Sequence, residues 1–269
     1  VLYPIYYALI ASLSKPLYVE NGTVMFSIKH FTLESYKQAC AKPGIWIAYA
    51  NTIFYTVGGT LISLLITLPA GYALSRKDLQ GRYFLTFFFS FTMFFSGGII
   101  PTYLVVRSLG FIDTVWAVLR TAAVSTWNLI LARTFFAANI PEELLEAAML
   151  DGCSNTRFFV QVALPLSGAM VAILALYYAV GQWNSYFKEM IYLYDNDLYP
   201  LQLVLRSILV KNQMPPTMLS DFETKAKKQQ MADLLKYGLM LVACLPVFIA
   251  YPFVQRFFVK GVMIGSIKG

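Results

Sequence analysis

The densest group of carboxylates in the chain lies between two long apolar runs, at Glu142, Glu143, Glu146 and Asp151. Carboxylates at such spacing could hold a metal, transfer protons or pair with cationic groups. No metal-ligand spacing accompanies them, because His30 is the only histidine and the three cysteines form no CxxC pair. We therefore expect no metal and no catalytic residue here, and we interpret the carboxylates as partners for basic groups.

A short helix must position these carboxylates. Pro141 suits the first turn of a helix, and the glutamates that follow favour its positive end. Leu144, Leu145, Ala148 and Met149 repeat at helical spacing. Asp151-Gly152 ends this helix, because glycine adopts the left-handed conformation at little cost. A second helix is predicted from 154–156 into Leu164-Pro165.

The remainder of the chain is strongly apolar, with 58% hydrophobic and 13% charged residues among 269. Its apolar runs reach the roughly 20 residues that a helix needs to cross a bilayer. We predict an all-α, polytopic membrane protein with six transmembrane helices, the first of them incomplete at the N-terminus. The net charge of +7 fits basic residues beside anionic headgroups, and we expect membrane lipid rather than nucleic acid as partner.

The predicted spans cover about 1–13, 46–74, 83–106, 114–136, 160–182 and 234–258. The basic loop 75–82 indicates the cytoplasmic side. Alternation then places the 139–159 loop and the tail in the cytoplasm, and the loops 14–45 and 183–232 outside. We predict one transmembrane domain over 1–269. Gly97-Gly98 and Pro101 should break or bend the third span, and 201–209 should form a short amphipathic helix.

A known motif is complete in the 139–159 loop and its C-terminal flank. Glu146-Ala147-Ala148, then Gly152, then nine residues, then Val162-Ala163-Leu164-Pro165 resembles the cytoplasmic EAA loop of ABC importer permeases. Further segments resemble the maltose-type carbohydrate permeases, closest to the branch that handles longer and often acidic oligosaccharides: 51–52, 94–98, 140–143, 183–184 and 258–269. The likeness covers nearly the whole chain. It implies a type I ABC importer permease fold, multi-pass in the bacterial cytoplasmic (inner) membrane.

In that family the EAA loop is a coupling helix that docks on an ATP-hydrolysing subunit. The resemblance implies coupling contacts from Glu142, Glu143, Glu146, Ala147, Ala148, Asp151, Gly152, Leu164 and Pro165. A merely interfacial helix with a glycine cap is the alternative. The implied partners are a second homologous permease, two ATP-binding subunits, an external solute-binding protein and a carbohydrate. The tail 259–269 either reaches the ATPase or is a frayed terminus.

The energy source must lie outside this chain, because no Gly-Lys pair occurs and the phosphate-binding pattern GxxxxGK[ST] is therefore absent. We expect no enzyme activity and no cofactor in this chain, with ATP and Mg bound by the partner ATPase subunits. The alternative is a secondary transporter or channel for a small polar solute. Such proteins place acidic residues or histidines within the membrane, whereas the carboxylates here flank the predicted spans. ATP-driven import is favoured.

Sugar binding requires aromatic faces and polar side chains. The candidates for the substrate pathway are Trp127, Asn128, Tyr177, Tyr178, Gln182, Trp183 and Asn184. Helix packing and an interfacial aromatic belt are the alternatives for these residues.

Arg120 is a further pathway candidate. We expect it to be buried in the outer half of the fourth span, where a guanidinium is costly unless paired or facing water. It lies seven residues after Asp113 and departs from related permeases, which often carry a small residue or proline there. Contact with headgroups or an internal partner is one explanation. The other is a pathway tuned to an acidic oligosaccharide.

Overall fold

The computed structural model describes residues 2–41, 43–121, 123–211 and 237–249. Within these ranges the secondary structure is helical, apart from an isolated antiparallel bridge between Ser14 and Phe31. The tail 258–269, the end of the predicted sixth span and much of the loop 183–232 lie outside the described residues.

Fifteen helices are described, and two short turns of other helix types accompany them. The helices are α1 Leu2–Ser12, α2 Pro16–Glu20, α3 Glu34–Cys40, α4 Pro43–Ser75, α5 Arg82–Phe94, α6 Ile99–Ser108, α7 Val115–Thr121, α8 Thr126–Asn139, α9 Glu142–Leu150, α10 Asn155–Phe158, α11 Leu164–Leu166, α12 Gly168–Trp183, α13 Phe187–Tyr192, α14 Leu201–Lys211 and α15 Tyr237–Ile249. A π-helical turn covers Phe159–Ala163 and a 3-10 turn covers Asn196–Leu198.

Helix α4 is long and apolar enough to cross a membrane by itself, with 33 residues. This confirms the predicted second span. One face of α4 carries small hydroxyl side chains at intervals of four, three and four residues, namely Thr56, Thr60, Ser63 and Thr67. Small polar residues at this spacing allow close helix approach in a membrane and supply hydrogen bonds across it.

The predicted third span is broken at the expected glycines, but the break is sharper than a kink. Helices α5 and α6 form an angle of 117°, and Gly98 between them has a φ of +82°, which favours glycine. Neither helix alone is long enough to cross a membrane, whereas the bent pair together is long and apolar enough.

The predicted fourth and fifth spans are also bent. Helices α7 and α8 form an angle of 46°, and the segment from α10 to α11 meets α12 at 83°. The predicted fifth span over 160–182 is therefore not one straight helix, because the chain bends near Ser167 and its final straight helix begins at Gly168. Counting α4 and each bent pair as one span gives up to four spans in the described residues.

The chain divides into two compact units. The first combines residues 1–52 with 185–251, and the second combines 53–184 with 252–269. The prediction of a single domain over 1–269 is not tested by this division and stays a prediction.

The first unit has its own apolar core. Ile45 and Ala48 of α4 pack there with Leu201 and Leu205 of α14 and with Leu239 of α15. The predicted amphipathic helix at 201–209 is thereby confirmed as α14, with its apolar face buried. Thr52 Oγ1 accepts a hydrogen bond from the Leu201 backbone N–H at 2.7 Å and so fixes the start of α14.

A buried carboxylate lies in α13 of the same unit. The Glu189 side chain is 1% exposed, accepts a hydrogen bond from Ser185 Oγ at 3.0 Å and lies 4.0 Å from Lys188 Nζ. Burial lowers the pKa of the Lys188 ammonium, while the Glu189 carboxylate opposes that shift. A buried carboxylate needs such partners because its charge has lost water.

Candidate coupling site

The acidic helix forms as the sequence predicts, with one difference at its start. Helix α9 covers Glu142–Leu150, and its first turn carries Glu142 and Glu143. Pro141 adopts an extended conformation with φ −60° and ψ 144°, so it precedes the helix as its N-cap instead of opening the first turn. The two carboxylates lie at the positive end of the helix dipole.

The glycine turn closes α9 with two backbone hydrogen bonds. The Cys153 N–H donates to Ala148 O at 2.9 Å, and the Gly152 N–H donates to Met149 O at 2.9 Å. This is a Schellman motif, which satisfies carbonyls that the helix end would leave unpaired. It requires a left-handed residue, and Gly152 has a φ of +76°. The predicted turn at Asp151-Gly152 is confirmed.

The second helix begins where predicted and then changes character before Pro165. Ser154 Oγ caps α10 by accepting from the Arg157 backbone N–H at 3.3 Å. A π-helical turn over Phe159–Ala163 follows, which suits a proline downstream because Pro165 offers no N–H for regular α-helical pairing. Ser167 then leaves the helical conformation, with φ −95° and ψ 18°, at the 83° bend.

An aromatic core anchors α9. Leu145 is 2% exposed and packs with Tyr72 of α4, Phe136 of α8 and Phe158 of α10. The Tyr72 ring meets the Phe136 ring edge-on at 5.7 Å and lies 5.1 Å from the Phe159 ring. Helix α9 is therefore seated on the ends of several apolar helices through its buried face.

The opposite face of α9 is open. Glu143, Glu146 and Ala147 are exposed, and Leu150 is 91% exposed. A large apolar side chain beside two free carboxylates is typical of a docking surface. Ala148 is half-buried and faces the core instead.

Glu142 differs from its acidic neighbours because it has a partner within the chain. Its Oε2 accepts a hydrogen bond from Lys77 Nζ in the loop between α4 and α5. The hydrogen bond and charge of Glu142 raise the pKa of the Lys77 ammonium. This pair could not be predicted from local sequence patterns, because 65 positions separate the two residues.

The C-terminal end of α4 is fixed to α8. Gly71 lies against Ala132 so closely that a Cβ on Gly71 would be 2.7 Å from the Ala132 Cβ. Arg133 Nε donates to the Leu74 carbonyl oxygen at 3.3 Å, which satisfies an end carbonyl of α4. These contacts join α4 and α8 beside the core that seats α9.

The predicted pathway residues fall into separate places. Tyr178 is buried, and its hydroxyl lies 2.6 Å from Thr67 Oγ1 and accepts from the Ser125 backbone N–H at 3.3 Å. This contact brings Tyr178 to the break before α8, where Asn128 is also buried. Thr67 was missed as a partner, although the hydroxyl stripe on α4 carries the signal that could have revealed it.

Gln182 lies against a different part of α4. It is 6% exposed, and a Cβ on Gly59 would be 2.6 Å from its Nε2. Both polar atoms of its amide are buried without a hydrogen-bond partner, as are the hydroxyls of Thr56 and Thr60. Unpaired buried polar groups are rare and costly.

The other aromatic candidates divide between surface and interior. Trp127 and Tyr177 are 63% and 48% exposed, whereas Trp183 is 8% exposed. Asn184 caps the end of α12, and its Nδ2 donates to the Val180 carbonyl oxygen at 2.9 Å.

The expectation that Arg120 is buried was wrong for this chain. The Arg120 side chain is exposed, and its guanidinium carbon lies 4.7 Å from the Phe111 ring centre and 5.0 Å from the Trp116 ring centre. Two aromatic faces hold the cation in place of a carboxylate. Its guanidinium N–H groups can therefore serve another anion.

Comparison with known proteins gives the family. No family model matches the chain. The chain is 38% identical over 266 residues to protein LplC of Bacillus subtilis (strain 168), which covers 99% of this chain and 89% of LplC. It is also 38% identical over 239 residues to the polygalacturonan/rhamnogalacturonan transport system permease protein YtcP of the same strain, covering 89% of this chain and 82% of YtcP. This chain belongs to the permeases of bacterial carbohydrate ABC importers.

A solved structure supports the same fold. The permease matches, with a TM-score of 0.86 and 32% identity, a chain in the crystal structure of a bacterial ABC transporter involved in the import of the acidic polysaccharide alginate. The match covers 96% of this permease and 90% of that chain. The predicted resemblance, the all-helical ABC importer permease fold and the multi-pass location in the bacterial inner membrane are confirmed.

Membership also decides the broad function. ABC importer permeases are transport subunits and not enzymes, and they act with ATP-binding subunits, a binding protein and a second permease. The alternative of a secondary transporter or channel is set aside. The roles of the individual coupling and pathway residues stay predictions.

Proposed function

We propose that this permease imports an acidic oligosaccharide and that α9 couples its movement to ATP hydrolysis on a partner subunit. The observation that carries the coupling role is the two-sided character of α9. Leu145 seats one face in the aromatic core, while Glu143, Glu146 and Leu150 leave the other face open. A force applied to the open face would reach the apolar helices through the buried face, because packed interiors transmit displacement.

The acidic substrate is supported by two relatives and one side chain. YtcP is named for polygalacturonan and rhamnogalacturonan, and the structural relative for alginate, which its title calls an acidic polysaccharide. In this permease Arg120 offers an exposed guanidinium whose planar donors suit a carboxylate. Tyr178, Gln182 and the exposed Trp127 and Tyr177 are the proposed contacts for the neutral parts of the sugar.

The proposed assembly contains a second homologous permease, two ATP-binding subunits and one external solute-binding protein. ATP and Mg belong to the ATP-binding subunits in this proposal, because the permease sequence has no phosphate-binding loop. The purified permease should therefore neither bind nor hydrolyse ATP.

The test uses the assembled transporter in liposomes with its binding protein. Uptake and ATP hydrolysis are measured with uronate oligosaccharides and with neutral oligosaccharides of equal length. We expect both activities to rise with the uronate sugars and to rise little with the neutral ones. Equal stimulation by both would reject the acidic substrate, and uptake driven by an ion gradient without the ATPase would reject the coupling role.

A further inference from the structure

Two residues far apart in the sequence connect α9 directly to the end of α4. Lys77 lies two positions beyond Ser75, the last residue of α4, and Glu142 is the first residue of α9. Their side chains form a hydrogen-bonded ion pair across 65 sequence positions. The Lys77 side chain is 71% exposed and that of Glu142 is 36% exposed.

This pairing distinguishes Glu142 from the other glutamates of α9. Glu143 and Glu146 are exposed, and neither takes part in an ion pair of the described residues. Both can therefore meet basic groups on a partner, although the charge of Glu143 also acts on Lys77, where it raises the pKa of the ammonium less than Glu142 does. Glu142 already satisfies a cation of its own chain.

The loop that carries Lys77 is itself fixed. Arg76 Nε pairs with Asp78 Oδ1 at 3.1 Å, and Arg82 Nη1 donates to the Arg76 carbonyl oxygen at 3.3 Å. Arg82 also lies 4.6 Å from the Tyr83 ring centre at the start of α5. A loop held at several points can transmit a displacement where a free loop would absorb it.

We propose that Lys77 and Glu142 form a brace that passes the displacement of α9 to α4, with both acting as positioning residues. The proposal rests on the proposed coupling role of α9. It adds a second connection to the one through Leu145, which seats α9 in the aromatic core. Glu142 is thereby moved from the predicted docking contacts to a link inside the permease.

An exposed ion pair contributes little to folding stability, so its loss should leave the transporter assembled. The effect should appear in the ratio of substrate-stimulated to basal ATP hydrolysis. We expect Lys77→Glu and Glu142→Lys each to lower this ratio by about three- to tenfold, because each places like charges side by side. The combined charge swap should restore at least half of the original ratio.

Glu143 provides a matched control, since it is a neighbouring exposed glutamate on the same helix turn. We expect Glu143→Lys to lower the ratio and Lys77→Glu to rescue it much less than it rescues Glu142→Lys, because Glu143 acts on Lys77 through its charge alone, without a hydrogen bond. Rescue of Glu143→Lys as effective as that of Glu142→Lys would overturn the brace, because general charge balance would then explain both. A swap no better than the single variants would overturn it as well.

Neutral variants test the brace in case a reversed charge prevents assembly of the transporter. Lys77→Met and Glu142→Gln should each lower the ratio, and the double variant should lose no more than the worse single one, because both remove the same interaction. Fully additive losses would refute the brace. Glu146→Lys distinguishes the failure of the two proposals. Normal stimulation of ATP hydrolysis in Glu146→Lys would refute the coupling role of α9. If Glu146→Lys lowers the stimulation but the Lys77–Glu142 charge swap does not restore the loss of its own single variants, the brace alone is refuted.

Discussion

Gly71 and Ala132 touch so closely that α4 and α8 have no room for an added methyl group between them. A Cβ on Gly71 would meet the Ala132 Cβ at 2.7 Å and the Arg133 backbone nitrogen at 3.2 Å. The obstacle includes backbone, so a rotamer change cannot relieve it. This contact sits beside Tyr72 and Phe136, which belong to the core that seats α9.

We expect Gly71→Ala to destabilise the assembled transporter by about 1–3 kcal/mol, the range for overpacking a tight interior. The measurement is thermal unfolding of the purified complex followed by loss of assembly. Gly58→Ala is the control on the same helix, because a Cβ there would meet only Leu119 at 3.6 Å, an ordinary contact. Equal stability of the two variants would show that the contact is not tight in the membrane.

A second prediction concerns the turn after α9. Gly152 has a φ of +76° and no atom within 4 Å of an added Cβ, so Gly152→Ala meets backbone strain without a clash. The cost is about 1 kcal/mol. We expect a lowered substrate stimulation of ATP hydrolysis, and a complete loss for Gly152→Pro, whose ring cannot adopt that φ.

Gly110 is the control for strain alone. It has a φ of +69°, also has open space around its Cβ position, and follows α6 far along the chain from α9. Gly110→Ala should lower thermal stability by a similar amount and leave the stimulation intact. If both alanine variants reduced stimulation equally, the turn at Gly152 would have no special part in coupling.

The sequence predicted the coupling element well because its signals are local. The acidic first turn, the apolar stripe with Leu145 and the closing glycine all act within one short segment, and the structure has them in place, although Pro141 precedes the helix instead of opening its first turn. The direction of the chain after Pro165 was not predictable in the same way. The length of an apolar run indicates a membrane span and not the direction of the chain, so the predicted fifth span joined α11 and α12 across the bend at Ser167.

Contacts between residues far apart in the chain could not be predicted from the sequence. The Lys77–Glu142 pair and the Gly71–Ala132 contact each join residues about 60 positions apart, and nothing in either local pattern names its partner. Arg120 was misjudged for a related reason. Its burial was inferred from the apolarity of its neighbours, whereas Phe111 and Trp116 lie under the guanidinium and leave it exposed.

A third prediction tests the buried charge in α13. Lys188→Met leaves the Glu189 carboxylate, 1% exposed, with the Ser185 hydroxyl but without its cation. We expect a loss of roughly 1–3 kcal/mol, below the value for a fully buried pair because Lys188 is 28% exposed. The measurement is thermal stability of the assembled complex.

The double variant Lys188→Met with Glu189→Gln decides whether the charge is the cause. The glutamine can still accept from Ser185, and no unpaired carboxylate remains. Its stability should recover most of the loss of Lys188→Met. A double variant as unstable as the single one would assign the loss to packing of the lysine chain instead of to charge.

A fourth prediction separates structure from substrate contact at Gln182. Both polar atoms of its amide are buried without a hydrogen-bond partner. Leucine is similar in size to glutamine, so Gln182→Leu removes these uncompensated polar atoms without leaving a large cavity. We expect the thermal stability of the assembled complex to stay the same or to rise, by at most about 3 kcal/mol. Transport should fall, because the amide is a proposed contact for the sugar. Unchanged uptake together with unchanged stability would leave Gln182 as a packing residue.

The last prediction concerns substrate charge and Arg120. The guanidinium is exposed above Phe111 and Trp116, so its donors are oriented before any ligand arrives. A uronate carboxylate and the phosphate of a lipid headgroup share the anionic chemistry that such a group binds. We expect Arg120→Gln to lower uptake of uronate oligosaccharides by about tenfold, equal to about 1.4 kcal/mol, the lower range for a charged hydrogen bond. Uptake of neutral oligosaccharides should change little. Arg120→Lys should lower the uptake of uronate oligosaccharides by an intermediate amount, because lysine keeps the charge and loses the planar donors.

Arg107→Gln is the control for Arg120→Gln, because Arg107 is an exposed arginine at the end of α6 whose loss lowers the net charge equally. Raised salt should weaken the preference for uronate in the wild type and not in Arg120→Gln, since screening acts over about 8 Å at physiological ionic strength. Equal losses for both sugars, restored by anionic lipid, would assign Arg120 to the headgroups instead.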